Sequence, residues 1–173
     1  VCSMLVKPDE SNRSVVFVTS QGTVRRNSAS DFNTFTVKGK QAMKLPPQTS
    51  IFSVLDVADN DNIMLYFSDG KAIRIVVDSL RVMNSRASIG VSGMALNDGA
   101  SVIGAVALPP STITREEADA YVEGTLPKER MKELEESEVI ILTVKRNVFG
   151  KRMSSQSMYP QNRGGKGVLI GNK

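Results

Sequence analysis

The sequence predicts an all-β fold made of propeller-like blades of about four antiparallel strands each, with a short helical insert. Two observations indicate this fold: a unit of about 50 residues occurs three times, and each unit contains short apolar runs separated by turn residues. Repeats of this length with several strands each are typical of blades arranged about an axis. A third observation, an acidic stretch with helix-capping signals, interrupts the last unit and predicts the insert.

Three repeat units follow one another at residues 1–45, 51–96 and 102–173, and we expect them to form one partial domain over the whole chain. Each unit opens with a short apolar run around a small central residue. These central residues are Ser3, Ser53 and Gly104, spaced 50 and 51 residues apart. The constant order of elements within the units indicates one structural design used three times.

Within each unit the opening run is followed by a second apolar strand, a turn, a strand with basic residues, and a closing strand. The second apolar strands are predicted at residues 15–19, 63–67 and 139–143, and the basic strands at 24–26, 73–74 and 150–152. Apolar anchors then occur at Phe32, Leu80 and Met158, before closing strands at 39–45, 90–96 and 167–170. Short runs rich in β-branched and aromatic residues favour strands throughout.

Turn residues separate the second apolar strand from the basic strand. The pairs at residues 21–22 (Gln-Gly) and 69–70 (Asp-Gly) are hairpin signals, because glycine adopts a positive φ without steric cost. In the third unit the corresponding pair is Asn147-Val148, where a β-branched residue would be strained. We therefore predict the third turn at residues 146–147.

The insert occupies residues 109–138 of the third unit. A Pro-Pro pair at its start ends the preceding strand, and Thr114 with Glu117 forms a capping box that predicts a helix over 115–123. Pro127 can begin a second helix that continues to about residue 136. We expect a solvated helical hairpin, with the binding of a partner protein as an alternative role.

The composition excludes several kinds of active and metal sites. The sequence has no histidine and one cysteine, Cys2, so it can build neither a Ser-His-Asp or Cys-His nucleophile system nor a Cys/His zinc site. We predict no catalytic residue, metal or cofactor in this chain. A single thiol indicates a reducing, cytoplasmic environment, and no apolar run approaches the ~18 residues of a membrane-spanning helix. Because the sequence begins with Val1, we expect a piece of a longer protein.

Charge is distributed unevenly along the chain. Residues 115–138 contain nine acidic and four basic side chains, a net charge of −5, whereas the rest of the chain carries +9. A basic body with an acidic insert indicates a polyanionic partner for the body. Nucleic acid is one such partner, and solvated surface charge is the alternative interpretation.

The repeats resemble those of the C-terminal domain of DNA gyrase A, the DNA-wrapping domain of that enzyme. The middle unit carries the resemblance most fully, in residues 63–74 (Ile-Met-Leu-Tyr-Phe-Ser-Asp-Gly-Lys-Ala-Ile-Arg), 80–83 (Leu-Arg-Val-Met) and 88–96 (Ser-Ile-Gly-Val-Ser-Gly-Met-Ala-Leu). The third unit adds residues 149–152 (Phe-Gly-Lys-Arg) and 163–167 (Arg-Gly-Gly-Lys-Gly). The resemblance covers residues 1–108 and 139–173 and does not account for the insert.

Residues 161–167, Gln-Asn-Arg-Gly-Gly-Lys-Gly, are similar to the signature box of that family, Gln-Arg-Arg-Gly-Gly-Lys-Gly. Asn162 stands where the box has an arginine, and the neighbouring residues resemble a later unit more than the first. We therefore expect the family's box to lie outside this chain. The alternative is that residues 161–167 are the box and that box-dependent wrapping occurs here.

The resemblance implies a fold, a function and partners. The fold would be a β-pinwheel, in which neighbouring blades exchange strands, and duplex DNA would wrap around its basic outer rim. The chain would be a non-catalytic part of a type II topoisomerase that hydrolyses ATP with Mg²⁺ and introduces negative supercoils. Its partners would be the rest of gyrase A and gyrase B, in an A2B2 complex at the bacterial nucleoid. The matching domain of topoisomerase IV and a propeller-like protein-binding scaffold are the alternatives.

The candidate DNA contacts are the basic side chains that recur along the units. They are Arg25, Arg26, Lys38, Lys40, Arg74, Arg81, Arg86, Lys151, Arg152, Arg163 and Lys166. We expect them to be exposed along one rim, where their spacing suits the phosphates of a duplex. Recognition would then depend on the DNA backbone and its bendability, with little readout of bases.

A glycine-rich loop is the second candidate element of the DNA surface. It consists of Gln161, Arg163, Gly164, Gly165, Lys166 and Gly167. Such a loop can bring backbone N–H groups close to phosphate oxygens. Four aromatic residues are instead assigned to the core because they lie in apolar strands: Phe17, Phe52, Tyr66 and Phe67. Three methionines are expected to fill gaps there: Met43, Met83 and Met94.

Overall fold

The computed structural model describes residues 12–33, 38–39, 41–85, 87–144 and 150–170. Its strands are β1 (Arg13–Thr19), β2 (Thr23–Ser28), β3 (Ile51–Ala58), β4 (Asn62–Phe67), β5 (Lys71–Val76), β6 (Val91–Ser92), β7 (Val102–Leu108), β8 (Ile140–Val144), β9 (Gly150–Ser154), β10 (Pro160–Gln161) and β11 (Val168–Leu169). The helices are α1 (Arg115–Glu123) and α2 (Lys128–Glu136). Three 3₁₀ turns follow β2, β5 and β9, at Ala29–Phe32, Val77–Ser79 and Ser155–Ser157. The predicted all-β fold with a helical insert is confirmed.

Each blade combines strands of two neighbouring repeat units. The first sheet has the order β3-β1-β2-β6, so the hairpin of the first unit is flanked on both sides by strands of the second. The second sheet has the order β10-β5-β4-β7, with β11 also pairing with β5, so the third unit flanks the second hairpin. Among the described residues, the named strands pair antiparallel except for β10 with β5. The strands are therefore exchanged between units.

The third hairpin, β8–β9, forms a two-stranded sheet among the described residues. Its register matches those of the first two hairpins: Val16 lies opposite Arg26, Met64 opposite Arg74, and Leu142 opposite Arg152. The register therefore makes Arg26, Arg74 and Arg152 equivalent positions of the three units.

Two apolar layers hold the units together. The first lies between the two sheets and contains Val16 and Val18 of β1 with Ile63 and Leu65 of β4. The second contains Met64 and Tyr66 on the opposite face of β4, against partly buried residues of β8 and β9. Because strand side chains alternate between faces, β4 contributes to both layers. The middle unit is thus buried on both sides.

The local predictions are confirmed in most of the chain. The first two turns close with hydrogen bonds from the N–H of Gly22 to Thr19 O (3.0 Å) and of Gly70 to Phe67 O (3.0 Å). The third turn and the opening run at residues 1–6 lie outside the described residues. Among the described residues of 39–45 none is in a strand. The closing strands β6 and β11 pair with the basic strand of the preceding unit, β2 and β5 respectively.

Most of the predicted core is buried, with one exception. Phe17, Tyr66, Phe67, Met43 and Met94 are buried, and Met83 is half-buried. Phe52 is exposed, so its assignment to the core is wrong. Phe52 lies on β3, which is an edge strand of the first sheet. This strand has a pairing partner, β1, on one side only.

The insert is packed against the third unit on one side, which corrects the expectation of a fully solvated hairpin. The predicted capping box is present: the Glu117 N–H donates to Thr114 Oγ1 (3.2 Å) and the Thr114 N–H donates to Glu117 Oε2 (2.9 Å). Ile113, Ala118 and Leu134 form a small buried core that Tyr159 joins from the body of the unit. Most of the acidic side chains of α1 and α2 remain exposed on the other side.

A buried glutamine fixes the insert to the third 3₁₀ turn. Gln156 Nε2 donates to Leu134 O (3.1 Å) and to Ser137 Oγ (2.9 Å), and Gln156 Oε1 accepts from Ser111 Oγ (3.1 Å). Neither helix is long or apolar enough to cross a membrane, as far as the described residues extend.

We expect Gln156→Ala to lower the free energy of unfolding by about 2 kcal/mol, because it leaves buried polar partners without hydrogen bonds. Urea unfolding followed by circular dichroism measures this change. The control is Gln21→Ala, at an exposed turn position, which should change stability by less than about 0.5 kcal/mol. Equal effects of the two substitutions would show that the contacts of Gln156 do not stabilise the insert.

Candidate nucleic-acid interface

The basic residues proposed as DNA contacts fall into three groups. Six are exposed: Lys38, Arg81, Lys151, Arg152, Arg163 and Lys166. Three are buried, with 0%, 4% and 0% of their surface accessible: Arg25, Arg26 and Arg74. Lys40 and Arg86 lie outside the described residues. The expectation that all of these side chains face solvent is therefore wrong for the buried group.

Arg74 connects the second unit to the third. Its Nη1 donates to the carbonyl oxygens of Ser155 (2.8 Å) and Met158 (3.2 Å), at the third 3₁₀ turn. Its Nη2 donates to Pro109 O (3.1 Å) and its Nε to Asn62 Oδ1 (3.2 Å). The guanidinium therefore satisfies three carbonyl groups of the following unit.

Arg26 makes the same kind of connection one unit earlier. Its Nη1 donates to the carbonyl oxygens of Val77 (3.1 Å) and Leu80 (3.0 Å), at the second 3₁₀ turn. Its Nε donates to Ser14 Oγ (2.9 Å), and its Nη2 forms an ion pair with Asp59 Oδ1 (2.7 Å). We use the term arginine clasp for a guanidinium that donates to the two carbonyls of the next unit's 3₁₀ turn.

Arg25 is buried for a different reason. It lies on the opposite face of β2, where its guanidinium donates to the carbonyl oxygens of Ser85 and Ser88 and to Asn27 Oδ1 (2.7 Å). It thereby holds the segment between the second anchor and β6. The equivalent position is Ile73 in the second unit, so this contact does not repeat.

Burial determines the electrostatics of these arginines. Burial lowers the pKa of Arg74 to about 10, and the neighbouring Tyr66 opposes this shift. Burial also raises the pKa of the Tyr66 hydroxyl to about 12, and Arg74 opposes that shift. Burial also lowers the pKa of Arg25, against the opposing effect of Asp31. Carbonyl and amide oxygens replace the water that these guanidinium groups lose. The buried arginines are therefore parts of the protein interior.

The recurrence of basic residues in the sequence is thus explained by inter-unit contacts at two of the three equivalent positions. Arg26 and Arg74 recur because each unit presents a 3₁₀ turn to the hairpin before it. One sequence signal could have indicated this for Arg74, which lies between Ile73 and Ile75 in an apolar strand, whereas Arg26 lies between Arg25 and Asn27 and gives no such signal. Sequence reasoning also missed Lys44, an exposed base near the first unit's end.

The glycine-rich loop docks on the middle unit. The Gly164 N–H donates to Gly93 O (2.8 Å), the Gly165 N–H donates to Asn162 O (3.2 Å), and Gly165 O accepts from the Ala95 N–H (2.9 Å). Two of the N–H groups that we expected to approach phosphates therefore donate hydrogen bonds within the protein. The Arg163 and Lys166 side chains of the same loop are exposed.

Gly167 allows a close approach within this loop. It has a positive φ of 67°, and a Cβ atom there would lie 2.6 Å from Met94 Sδ and 2.8 Å from Ala72 O. Gly164 also has a positive φ, of 76°, but a Cβ atom there would meet no atom within 4 Å. Packing thus makes glycine necessary at residue 167, and backbone conformation alone favours it at residue 164.

The described residues offer no cluster of three or more His, Cys, Asp or Glu side chains that could hold a metal ion. Apart from the buried Arg25, Arg26 and Arg74, the described basic side chains of the site are exposed on strands and loops. The arrangement suits contacts with a large anion over an extended surface.

The fold and its contacts define a propeller-type repeat protein with strands exchanged between units. The family model described as "DNA gyrase C-terminal domain, beta-propeller" matches residues 13–57 and 68–109. This chain belongs to that family. The likeness stated from the repeats is therefore confirmed.

Curated relatives agree with this assignment. The DNA gyrase A protein of Rickettsia bellii is 35% identical over 179 residues, covering 91% of this chain and 20% of the relative. That of Granulibacter bethesdensis is 33% identical over 188 residues, covering 89% and 20%. That of Staphylococcus epidermidis is 30% identical over 154 residues, covering 89% and 14%. The chain thus spans about a fifth or less of these relatives' length.

Two solved structures share the fold. The C-terminal domain of DNA topoisomerase IV aligns with a TM-score of 0.70 and 16% identity, covering 96% of this chain and 43% of that one. The DNA gyrase A C-terminal domain aligns with a TM-score of 0.66 and 20% identity, covering 92% and 43%. At these identities the likeness concerns the fold. Both domains are more than twice as long as the part that matches.

Proposed function

We propose that this chain binds duplex DNA on exposed basic side chains and bends or wraps it, as part of the C-terminal domain of a gyrase A protein. In the complete enzyme it would act with the rest of gyrase A and with gyrase B in an A2B2 complex. That enzyme would hydrolyse ATP with Mg²⁺ and introduce negative supercoils in the bacterial cytoplasm, at the nucleoid. The chain itself would supply no catalytic residue and no cofactor.

Membership of the gyrase C-terminal domain family is the observation that carries this proposal. The distribution of exposed charge supports it, because nine of the eighteen acidic residues lie in residues 115–138. The proposed contacts within the described part of the chain are Lys38, Arg81, Lys151, Arg152, Arg163 and Lys166. Arg25, Arg26 and Arg74 are left out because their guanidinium groups are buried and hydrogen-bonded within the protein.

The structure supports a particular kind of recognition. Exposed lysine and arginine side chains attract phosphates without reading base edges, and their binding releases counterions. The affinity should therefore be sensitive to salt and tolerant of sequence. A protein-binding scaffold with the same fold would show neither property.

Neutralising three exposed bases should weaken DNA binding through the salt-dependent part of the affinity. We expect the variant Arg81→Gln, Arg163→Gln, Lys166→Gln to reduce the slope of log K against log salt by up to about 3, since each phosphate contact contributes about 0.9. The loss should be about equal on two unrelated duplexes long enough to bend. Fluorescence anisotropy over a salt series measures both quantities.

The acidic insert provides a matched control for this variant. Arg115→Gln, Lys128→Gln, Lys132→Gln removes the same net charge from exposed positions of α1 and α2. The slope of this control should stay within error of the unmodified chain. If both triple variants changed the slope equally, net charge rather than a defined surface would account for binding. Absence of salt-dependent binding in the unmodified chain would refute the proposed function.

A further inference from the structure

The exposed base Arg81 lies on a surface segment with very little secondary structure of its own. We use the term Arg81 segment for residues 81–85 and 87–88. Residues 81–85 form no helix or strand apart from one isolated bridge, between Val82 and Arg26. Irregular surface segments are mobile as a rule. A base on such a segment is held in place only if another part of the chain supports it.

Two neighbouring side chains of β2, in the first unit, supply this support. Arg26 Nη1 donates to Leu80 O (3.0 Å), directly before Arg81. Asn27 Nδ2 donates to Met83 O (2.7 Å), two residues after Arg81. The backbone adds a third contact, from the Met83 N–H to Arg26 O (2.9 Å). Arg81 is thus fixed on both sides by the preceding unit.

Arg25 completes the support and orients the Asn27 amide. Arg25 Nε donates to Asn27 Oδ1 (2.7 Å), and its two Nη atoms donate to the carbonyl oxygens of Ser85 and Ser88. Because a guanidinium only donates and a carbonyl only accepts, these partners allow one orientation of the amide, with Nδ2 at Met83 O. We use the term Arg25–Asn27 pair for these two fully buried side chains.

The next unit holds its equivalent segment by different chemistry. In register, β5 has two isoleucines where β2 has the Arg25–Asn27 pair. The glycine-rich loop of the third unit packs there, so that a Cβ atom at Gly165 would lie 3.5 Å from Ile73 Cδ1. Apolar contact and backbone hydrogen bonds hold that loop, whereas buried polar side chains hold the Arg81 segment. The pair is therefore a device of the first joint.

We propose that the Arg25–Asn27 pair positions Arg81 for its contact with a DNA phosphate, although neither member of the pair reaches solvent. This inference rests on the proposed function and names a positioning role within it. A base on a free segment must lose backbone and side-chain freedom when it binds. A segment that is already hydrogen-bonded to β2 has lost the backbone part before DNA arrives. The buried pair thus contributes to DNA affinity without contacting DNA.

A double-mutant cycle on the full 173-residue chain tests this role. Asn27→Leu keeps the volume and the net charge but removes the amide that joins Arg25 to Met83 O. Arg81→Gln in the unmodified chain should reduce the slope of log K against log salt by about 0.9. In the Asn27→Leu background the reduction should be less than half of that. Arg25→Lys, which replaces five planar donors by one ammonium at equal charge, should act like Asn27→Leu.

Two matched controls separate positioning from general damage. Arg163→Gln removes an exposed base of the third unit, and its effect on the slope should be the same with and without Asn27→Leu. Asn62→Leu is the same substitution at another buried asparagine, which accepts from Arg74 Nε (3.2 Å). In the Asn62→Leu background, Arg81→Gln should keep its full effect. Fluorescence anisotropy over a salt series, on one duplex long enough to bend, measures every slope.

Amide hydrogen exchange tests the support in the absence of DNA. In Asn27→Leu the Met83 N–H should exchange about tenfold faster, because a segment released from β2 opens without unfolding of the sheets. The Gly93 N–H, which donates to Gly22 O (2.9 Å), should keep its rate. A global loss of stability would instead accelerate both amides together.

Three results would overturn this inference while leaving the proposed function intact. They are an equal effect of Arg81→Gln with and without Asn27→Leu, a loss of the Arg163 contribution together with that of Arg81, and equal acceleration of the two amides. Absence of salt-dependent binding by the unmodified chain is the separate outcome that refutes the proposed function, and the positioning role falls with it.

Discussion

Replacing Arg74 by methionine is expected to lower the free energy of unfolding by about 3–5 kcal/mol. The methionine fills most of the volume of the arginine stem, but the carbonyl oxygens of Ser155, Met158 and Pro109 lose their donor in a buried site. Each orphaned acceptor costs about 1–3 kcal/mol when water cannot reach it. Urea unfolding monitored by circular dichroism provides the measurement.

The matched control is the same substitution at the equivalent position of the third unit. Arg152 is exposed, so Arg152→Met should change stability by no more than about 0.5 kcal/mol. Arg26→Met should resemble Arg74→Met, because Arg26 is also a clasp. If Arg74→Met and Arg152→Met had the same effect, burial of the clasp would contribute nothing to stability.

Gly167→Ala is expected to destabilise the chain by about 2–4 kcal/mol. The new methyl group would overlap Met94 Sδ and Ala72 O, and the positive φ adds strain to an L-residue. Movement of the loop away from Ala72 would relieve the overlap but break the pairing of β11 with β5. We expect a lower thermal midpoint and faster amide exchange in β5 and β11.

The variant Gly164→Ala separates steric overlap from backbone strain as causes of the lost stability. Its φ is also positive, but the methyl group would meet open space, so a loss of about 1 kcal/mol from backbone strain is expected. A loss at residue 167 as small as that at residue 164 would mean that close packing of the loop on Ala72 is not present in solution. A large loss at both positions would assign the effect to the backbone conformation.

The local structure could be read from the sequence because its causes are local. The turn at residues 69–70 depends on one Asp-Gly pair, and α1 begins where Thr114 and Glu117 cap each other. Strand exchange was expected only through the resemblance to a family. No short segment of the sequence indicates that the outer edge of β1, away from β2, pairs with β3 of the second unit.

The candidate site was less predictable because burial of an arginine depends on distant residues. The acceptors of Arg74 include Ser155 and Met158, more than eighty residues further along the chain. Arg26, Arg74 and Arg152 occupy equivalent register positions in the three hairpins, yet only the first two are buried. Arg26 and Arg74 are buried because distant carbonyl groups accept from them, which the residue type alone does not reveal.

The exchange of strands has a consequence for synthesis on the ribosome. When the first hairpin has emerged, its flanking strands are not yet made: Val24 of β2 pairs with Val91, 67 residues later. The insert lengthens this interval in the second sheet, where Ala72 pairs with Val168, 96 residues later. A growing chain therefore always exposes the apolar face of its newest hairpin until the next unit has been translated, and folding advances one unit behind elongation.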